Sequence, residues 1–263
     1  MIVGMTPLQA GPPADAYDDV RSDRILLTGR DGVAFEALSY LPDGPGPFPA
    51  VVIGAEGTGV NAFIQRVGAS LAHAGIVTVV IDPYRFDGPP DPEAYEDFDT
   101  LIAYINALDF VRATHDLLAG VEHARALPTV DPERVAVWGY CTGATLAMLA
   151  ACTDPRLAAA VLFYPSQPVF DALGDRTPAH LMDLMWGIRA QTLVLYGDDD
   201  VVMPAERLAE LRRRLDIWHV PHEVAIYPGA GHAFCSEVSL LFHPESADAG
   251  WQRALAFALD MLS

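Results

Sequence analysis

The 263-residue chain contains no lysine; all 16 of its basic residues are arginines. This excludes Schiff-base chemistry on a lysine amine, a Ser–Lys dyad and the lysine of a phosphate-binding loop. Positive charge is scarce altogether, since 35 acidic residues leave a net charge of −19. Such a surface repels nucleic-acid phosphates and anionic lipid headgroups, so neither nucleic acid nor a membrane is an expected partner. Cysteine is also sparse: Cys141, Cys152 and Cys235 are odd in number, and no pair has metal-ligand spacing. A disulfide scaffold and a metal site are therefore not expected, and a reducing, cytoplasmic setting fits better. His219 and His222 are three apart but straddle Pro221, which removes a shared helical face for a metal. No apolar stretch is long enough, and free enough of Gly, Pro and charge, to span a membrane. Residues 1–23 are rich in Pro, Gly and Asp and lack the charged start and apolar run of a signal peptide. They are expected to be a flexible segment preceding a single domain over 24–263.

What is present is a hydrophobic fraction of 51% with 19% charged residues, the composition of a folded globular chain. Arg24–Thr28 and Val33–Leu41, split by Gly29-Arg30-Asp31-Gly32, predict a β-hairpin. Apolar runs over Phe48–Gly54, Ile76–Ile81, Val135–Trp138, Leu157–Phe163, Thr192–Tyr196 and His222–Tyr227 predict further strands. Helical patterns open at Asn61, at Phe110, after Thr142, at Pro204 and at the C-terminus. After the hairpin, strands and helices alternate, which predicts an α/β-hydrolase-like arrangement: a mostly parallel twisted sheet with helices on both faces. Pro83–Leu108, rich in Asp, Glu, Pro and Tyr, reads as a surface excursion, with a partial cover over a site as the alternative. Gly54–Gly59 has the wrong glycine spacing for a dinucleotide fingerprint.

Gly139-Tyr140-Cys141-Thr142-Gly143 lies between a short strand and a helix of small residues. It has the form of a nucleophile elbow, G-x-S-x-G, with cysteine as the nucleophile. A tight turn demands tiny side chains two positions to either side, and the N-terminus of the following helix favours a thiolate. Standing alone, the motif competes with a buried structural cysteine. Two later segments change that balance. Asp198-Asp199-Asp200 follows an apolar strand, with Asp200 the preferred orienting acid and Asp198 the second choice; the other acids of the turn are expected to cap the helix after Pro204. His232 sits in the glycine-rich Gly229-Ala230-Gly231-His232 loop after the last strand. The order Cys141, Asp200, His232 is nucleophile, acid, base, each following a strand.

With these segments, Glu56-Gly57-Thr58-Gly59-Val60-Asn61 after the Phe48–Gly54 strand makes the chain closely resemble the dienelactone hydrolase family of the α/β-hydrolases. The resemblance runs from the first strands to the last helix. It implies an ester or lactone hydrolase that forms a thioester acyl-enzyme, needs no metal or organic cofactor, and takes a small-molecule substrate. A thioesterase, amidase or acyltransferase on the same three residues, or a non-catalytic ligand-binding member of the fold, are the alternatives. It also implies that Glu56 modulates the thiol and that the Gly57 and Thr142 N–H groups form an oxyanion hole. Arg85 corresponds loosely to a substrate-binding arginine, and Tyr84, Tyr164, Trp186 and Phe234 are candidate substrate contacts. The chain departs from the pattern in two places. Bulky apolar residues usual after the glutamate are replaced by Gly57 and Thr58, which is expected to leave room for a larger acyl group. Cys235-Ser236-Glu237 stands where dienelactone-cleaving members carry an arginine. With Glu237 facing the site, neutral esters or lactones are expected to be preferred over carboxylate-bearing ones.

Overall fold

A computed structural model describes residues 17–91 and 98–263. Eight strands, β1 (Val20–Thr28), β2 (Ala34–Pro42), β3 (Phe48–Gly54), β4 (Val77–Ile81), β5 (Val130–Tyr140), β6 (Ala159–Phe163), β7 (Gln191–Gly197) and β8 (His222–Tyr227), form one sheet in the order β1-β2-β4-β3-β5-β6-β7-β8. The β1–β2 hairpin is antiparallel and joins β4 antiparallel; every pairing from β4 to β8 is parallel. The helices among the described residues are α1 (Ala62–His73), α2 (Phe98–Ala107), α3 (Phe110–Ala126), α4 (Thr142–Thr153), the single turn α5 (Leu181–Leu184), α6 (Ala205–Ile217) and α7 (Pro244–Met261). Every residue of β4 and β6 is buried, as expected of parallel strands covered on both faces. Side-chain caps fix where two helices begin. Asn61 accepts from the Ile64 N–H at the start of α1, and Asp109 accepts from the Arg112 N–H at the start of α3. Among the described residues no helix is long and apolar enough to cross a membrane.

The topology decides where chemistry can collect. From β3 the chain steps outward to β4, then returns through α2 and α3 to β5 on the other side of β3. The carboxyl ends of β3 and β5 are thus the switch point of the sheet, where ligand crevices form. Gly54 and Gly139 are register partners, so the loops carrying Glu56 and Cys141 leave the sheet side by side. Gly197 and Tyr227 are partners likewise, which brings the Asp200 and His232 loops together.

Three expectations change. β1 begins at Val20, so residues 20–23 belong to the hairpin and not to a leading segment; residues 1–16 lie outside the described residues. β5 starts at Val130, five residues before the expected Val135, because two exposed residues, Pro132 and Glu133, interrupt its apolar run. Pro83–Leu108 contains α2, whose buried residues are only Leu101 and Ile105, too few to set a clear helical period. Residues 92–97 of that stretch lie outside the described residues.

Candidate active site

Cys141 joins β5 to α4 with φ 52° and ψ −119°, a conformation that costs a non-glycine residue energy and must be held by its surroundings. The holding is done by close backbone packing. A β-carbon at Gly143 would collide with the carbonyl oxygens of Gly54 and Ala55, so this crossing of α4 over β3 admits glycine alone. The Cys141 N–H donates to the Phe163 carbonyl at 3.0 Å. The thiol therefore stands at the N-terminus of a 12-residue helix, where the helix dipole favours negative charge.

His232 Nε2 lies 3.1 Å from Cys141 Sγ, and its Nδ1 lies 2.9 Å from Asp200 Oδ2. The other Asp200 oxygen accepts from the Val202 and Met203 N–H groups at 2.9 and 3.0 Å, so this buried carboxylate is fully engaged. Its neighbours do different work. Asp198 Oδ1 accepts from the Gly229 N–H at 2.6 Å and ties down the histidine loop, while Asp199 is exposed. Neither caps α6, whose N-cap position is Pro204, so the expected capping role is corrected. Burial alone would push the Cys141 thiol up. The charge and hydrogen bond of His232 outweigh burial and hold it below its ordinary value, against the opposing charge of Glu56. Burial opposes protonation of His232, but Cys141 and Asp200 raise it to about 10. The arrangement favours a thiolate beside an imidazolium. The other thiols go the opposite way: burial pushes Cys152 up to about 12 and Cys235 well above its ordinary value.

The loop after β3 supplies the facing side. Glu56 is buried, and its Oε2 accepts from Asn61 Nδ2 at 3.0 Å and from the Ser236 hydroxyl at 3.1 Å. Gly57 adjoins Thr142: a β-carbon on it would lie 3.2 Å from Thr142 Oγ1 and 2.8 Å from Ile105 Cδ1. The space that a larger residue at position 57 would fill is thus taken by Ile105 of α2, which corrects the expectation of extra room there. Tyr84 donates its hydroxyl proton to the Gly57 carbonyl at 2.9 Å and meets Tyr104 of α2 edge-on, with centroids 5.8 Å apart.

Cys141 and His232 open into a cavity of about 910 Å³. Its walls come from α2 and Leu108, from Phe110 at the start of α3, from residues 166–177, and from Val201, Val202 and Leu241. None of the expected substrate contacts, Tyr84, Arg85, Tyr164, Trp186 and Phe234, lines it. Arg85 is held by Asp116, with Nε–Oδ2 2.8 Å and Nη2–Oδ1 2.7 Å, and by Asp31 at 2.9 Å, and it stacks on Phe35. Tyr164 packs edge-on against the His232 ring at 5.2 Å and Phe234 packs against Tyr164 at 5.3 Å; both are fully buried behind the histidine. Trp186 is exposed on the turn after α5 and outside the cavity. Glu237 pairs with Arg66 and does not line the cavity. Sequence reasoning gave a cover from Pro83–Leu108 only as the alternative, without the helix α2 that forms this wall, and missed the cavity cations Arg176 and Arg207; the apolar triplet Leu101, Ile102 and Ile105 was the available signal for α2. Among the described residues no cluster of three or more His, Cys, Asp and Glu converges as a metal site would.

Known proteins resemble this chain in sequence and in fold. A sequence profile of the dienelactone hydrolase family matches residues 35–261. A Yersinia pestis protein assigned as a carboxymethylenebutenolidase is 31% identical over 216 residues, covering 80% of this chain and 77% of its own. A Bradyrhizobium protein assigned as a 2-oxo-3-(5-oxofuran-2-ylidene)propanoate lactonase is 30% identical over 222 residues, covering 84% and 88%. A Klebsiella pneumoniae crystal structure assigned as a dienelactone hydrolase superposes with a TM-score of 0.82 at 28% identity, covering 91% of this chain and 98% of that one.

Proposed function

The chain belongs to the dienelactone hydrolase family, and on that premise we propose that it hydrolyses a small-molecule ester or lactone through Cys141, His232 and Asp200. The observation that carries this is the continuous contact from Asp200 Oδ2 through His232 to the Cys141 sulfur at the floor of an open cavity. The thiolate adds to the carbonyl carbon, and the resulting oxyanion is received by the Thr142 N–H at the start of α4 and the Gly57 N–H of the loop after β3. One such donor is worth roughly 10²–10³ in rate. Collapse breaks the carbon–oxygen bond, and the His232 imidazolium gives its proton to the departing alkoxide. The neutral imidazole then takes a proton from water, whose oxygen attacks the thioester; collapse returns the thiolate and releases the acid. Asp200 fixes the ring and stabilises its cationic form. With Arg85 committed to Asp116 and Ser236 to Glu56, the substrate is best read as uncharged.

The test is direct. Incubation with a slowly deacylating ester should add one acyl mass to the peptide carrying Cys141, and Cys141→Ala should lose both that adduct and at least about 10⁴-fold in turnover. Full activity of the alanine variant would refute the reading.

A further inference from the structure

Outside the reacting groups, the mouth of the main cavity is set apart by its apolar side chains. A folded chain ordinarily scatters its exposed apolar side chains singly. Here Ile102 is 49% exposed, Leu173 52% and Leu241 45%, and all three line the same opening. The same cavity is lined by Leu101, Ile105 and Phe170, each no more than 8% exposed. Exposed and buried apolar side chains thus share one cavity with the thiol and form an apolar track along it, beside polar members such as Asn106, Ser166 and Ser239.

Charge is arranged to match. Apart from the reacting Cys141–His232 pair, the ionised side chains on the cavity wall among the described residues are Asp171, Asp175, Arg176 and Arg207, two of each sign, and all four lie at exposed positions. Among the described residues the wall near Cys141 offers no buried guanidinium, and its one buried cation, His232, is already paired with Cys141 and Asp200. A carboxylate drawn in that far would lose its water against Leu101 and Phe170 without a guanidinium to receive it, and isolated charges are costly to bury. An apolar chain gains by the same surroundings. A cavity of about 910 Å³ lies toward the upper end of the range that takes a whole drug-sized ligand, far beyond what a short acyl group needs.

We propose that the site selects uncharged esters bearing an extended apolar chain, which lies along the track from the Cys141 floor to Ile102, Leu173 and Leu241 at the mouth. This rests on the hydrolase reading above and adds the substrate class to it. The chain can belong to the acyl or to the alcohol half of the ester, and the experiment separates the two.

Two series are compared below their aggregation limits: p-nitrophenyl esters from acetate to decanoate, and alkyl acetates from ethyl to octyl. In at least one series kcat/KM should rise about two- to fourfold per methylene, the value of burying a methylene wholly or in part. The series that rises identifies which half carries the chain. The double variant Ile102→Ser, Leu173→Ser should cut the ratio of octanoate to acetate, or of octyl to ethyl, by at least about tenfold. An ω-carboxylate on the longest chain should abolish the gain. Flat or falling kcat/KM in both series, with hydrolysis intact and lost in Cys141→Ala, would overturn the substrate class and leave the hydrolase reading standing. No hydrolysis of any member, together with no acyl adduct on Cys141, would overturn both.

Discussion

Beneath the Cys141 thiol, backbone meets backbone: Gly143 lies against the carbonyls of Gly54 and Ala55, and Gly197 against the Ala230 carbonyl. Behind it stand Tyr164, Phe234, Phe163 and Tyr140, all fully buried and in mutual ring contact. Above the thiol, α2 contributes only Leu101 and Ile105 as buried residues, and these form a small cluster with Val238, separate from the main core. The floor is thus over-determined and the roof is loosely attached. The difference teaches where each property can be stored. A strained residue at φ 52° needs the floor. A wall that only shapes a substrate can be drawn from the low-stability end of the structure.

The strongest attempt to break this comparison sets one methyl group added to the floor against a side chain truncated in the roof. Gly143→Ala forces a β-carbon into two carbonyl oxygens that cannot move without shifting β3. Overpacking of this kind should cost about 3 kcal/mol or more and lower the melting temperature by roughly 10 °C. Ile105→Ala removes more atoms, yet its cost should fall on α2 alone and leave the main transition within about 2 °C. Melting curves of the two variants decide it. Equal effects would mean that the roof belongs to the same cooperative unit as the floor.

The floor is also where a change of one atom should matter to turnover. In Asp200→Asn, the remaining amide oxygen can still accept from Val202 and Met203, so the loop survives. The new amide N–H₂ then faces His232 Nδ1 and turns that nitrogen into an acceptor. The ring proton moves to Nε2, which can no longer take a proton from Cys141. Turnover should drop about 10²–10⁴-fold, as loss of a triad acid does elsewhere, while Asp199→Asn at an exposed position should change it less than about twofold. Steady-state kinetics of both variants would expose a wrong choice of acid.

The same contrast governs how far the sequence could be read. β3, β8 and α3 carry the bounds expected of them, because their apolar periods end at glycine, proline or a capping aspartate. Cys141, Asp200 and His232 were legible as candidates because each follows a strand in a fixed chain order. The roof was legible only as an alternative, and its helix not at all: α2 has two buried residues in an acidic, proline-rich stretch. Nor was the direction in which an aromatic or arginine side chain faces. Tyr164 and Phe234 neighbour the histidine in space but stand behind it. Arg85 is captured by Asp116, 31 residues away, and long-range pairing leaves no local signal. Choosing among three adjacent aspartates needed the same tertiary information, since Asp198 and Asp200 both bind the histidine loop through different atoms.

The smallest expected effect sharpens the comparison at the point where floor and facing loop meet. Glu56 is held by Asn61 and Ser236, and its charge opposes ionisation of the Cys141 thiol that His232 promotes. A group whose pKa is lowered keeps its charged form down to a lower pH, so the rate of alkylation of Cys141 should remain high well below the ordinary thiol range. Glu56→Gln retains an oxygen for Asn61 and Ser236 but removes the negative charge. Like-charge repulsion then falls, and the inflection of the alkylation rate should move to still lower pH. Cys152 and Cys235, both pushed upward by burial, should stay unmodified near neutral pH in either protein and serve as internal references. The measurement is iodoacetamide labelling, read peptide by peptide by mass spectrometry across a pH series. An inflection that stays in place or moves upward would mean that Glu56 acts on the thiol only through the loop it anchors, and that the facing side is scaffold in the same sense as the floor.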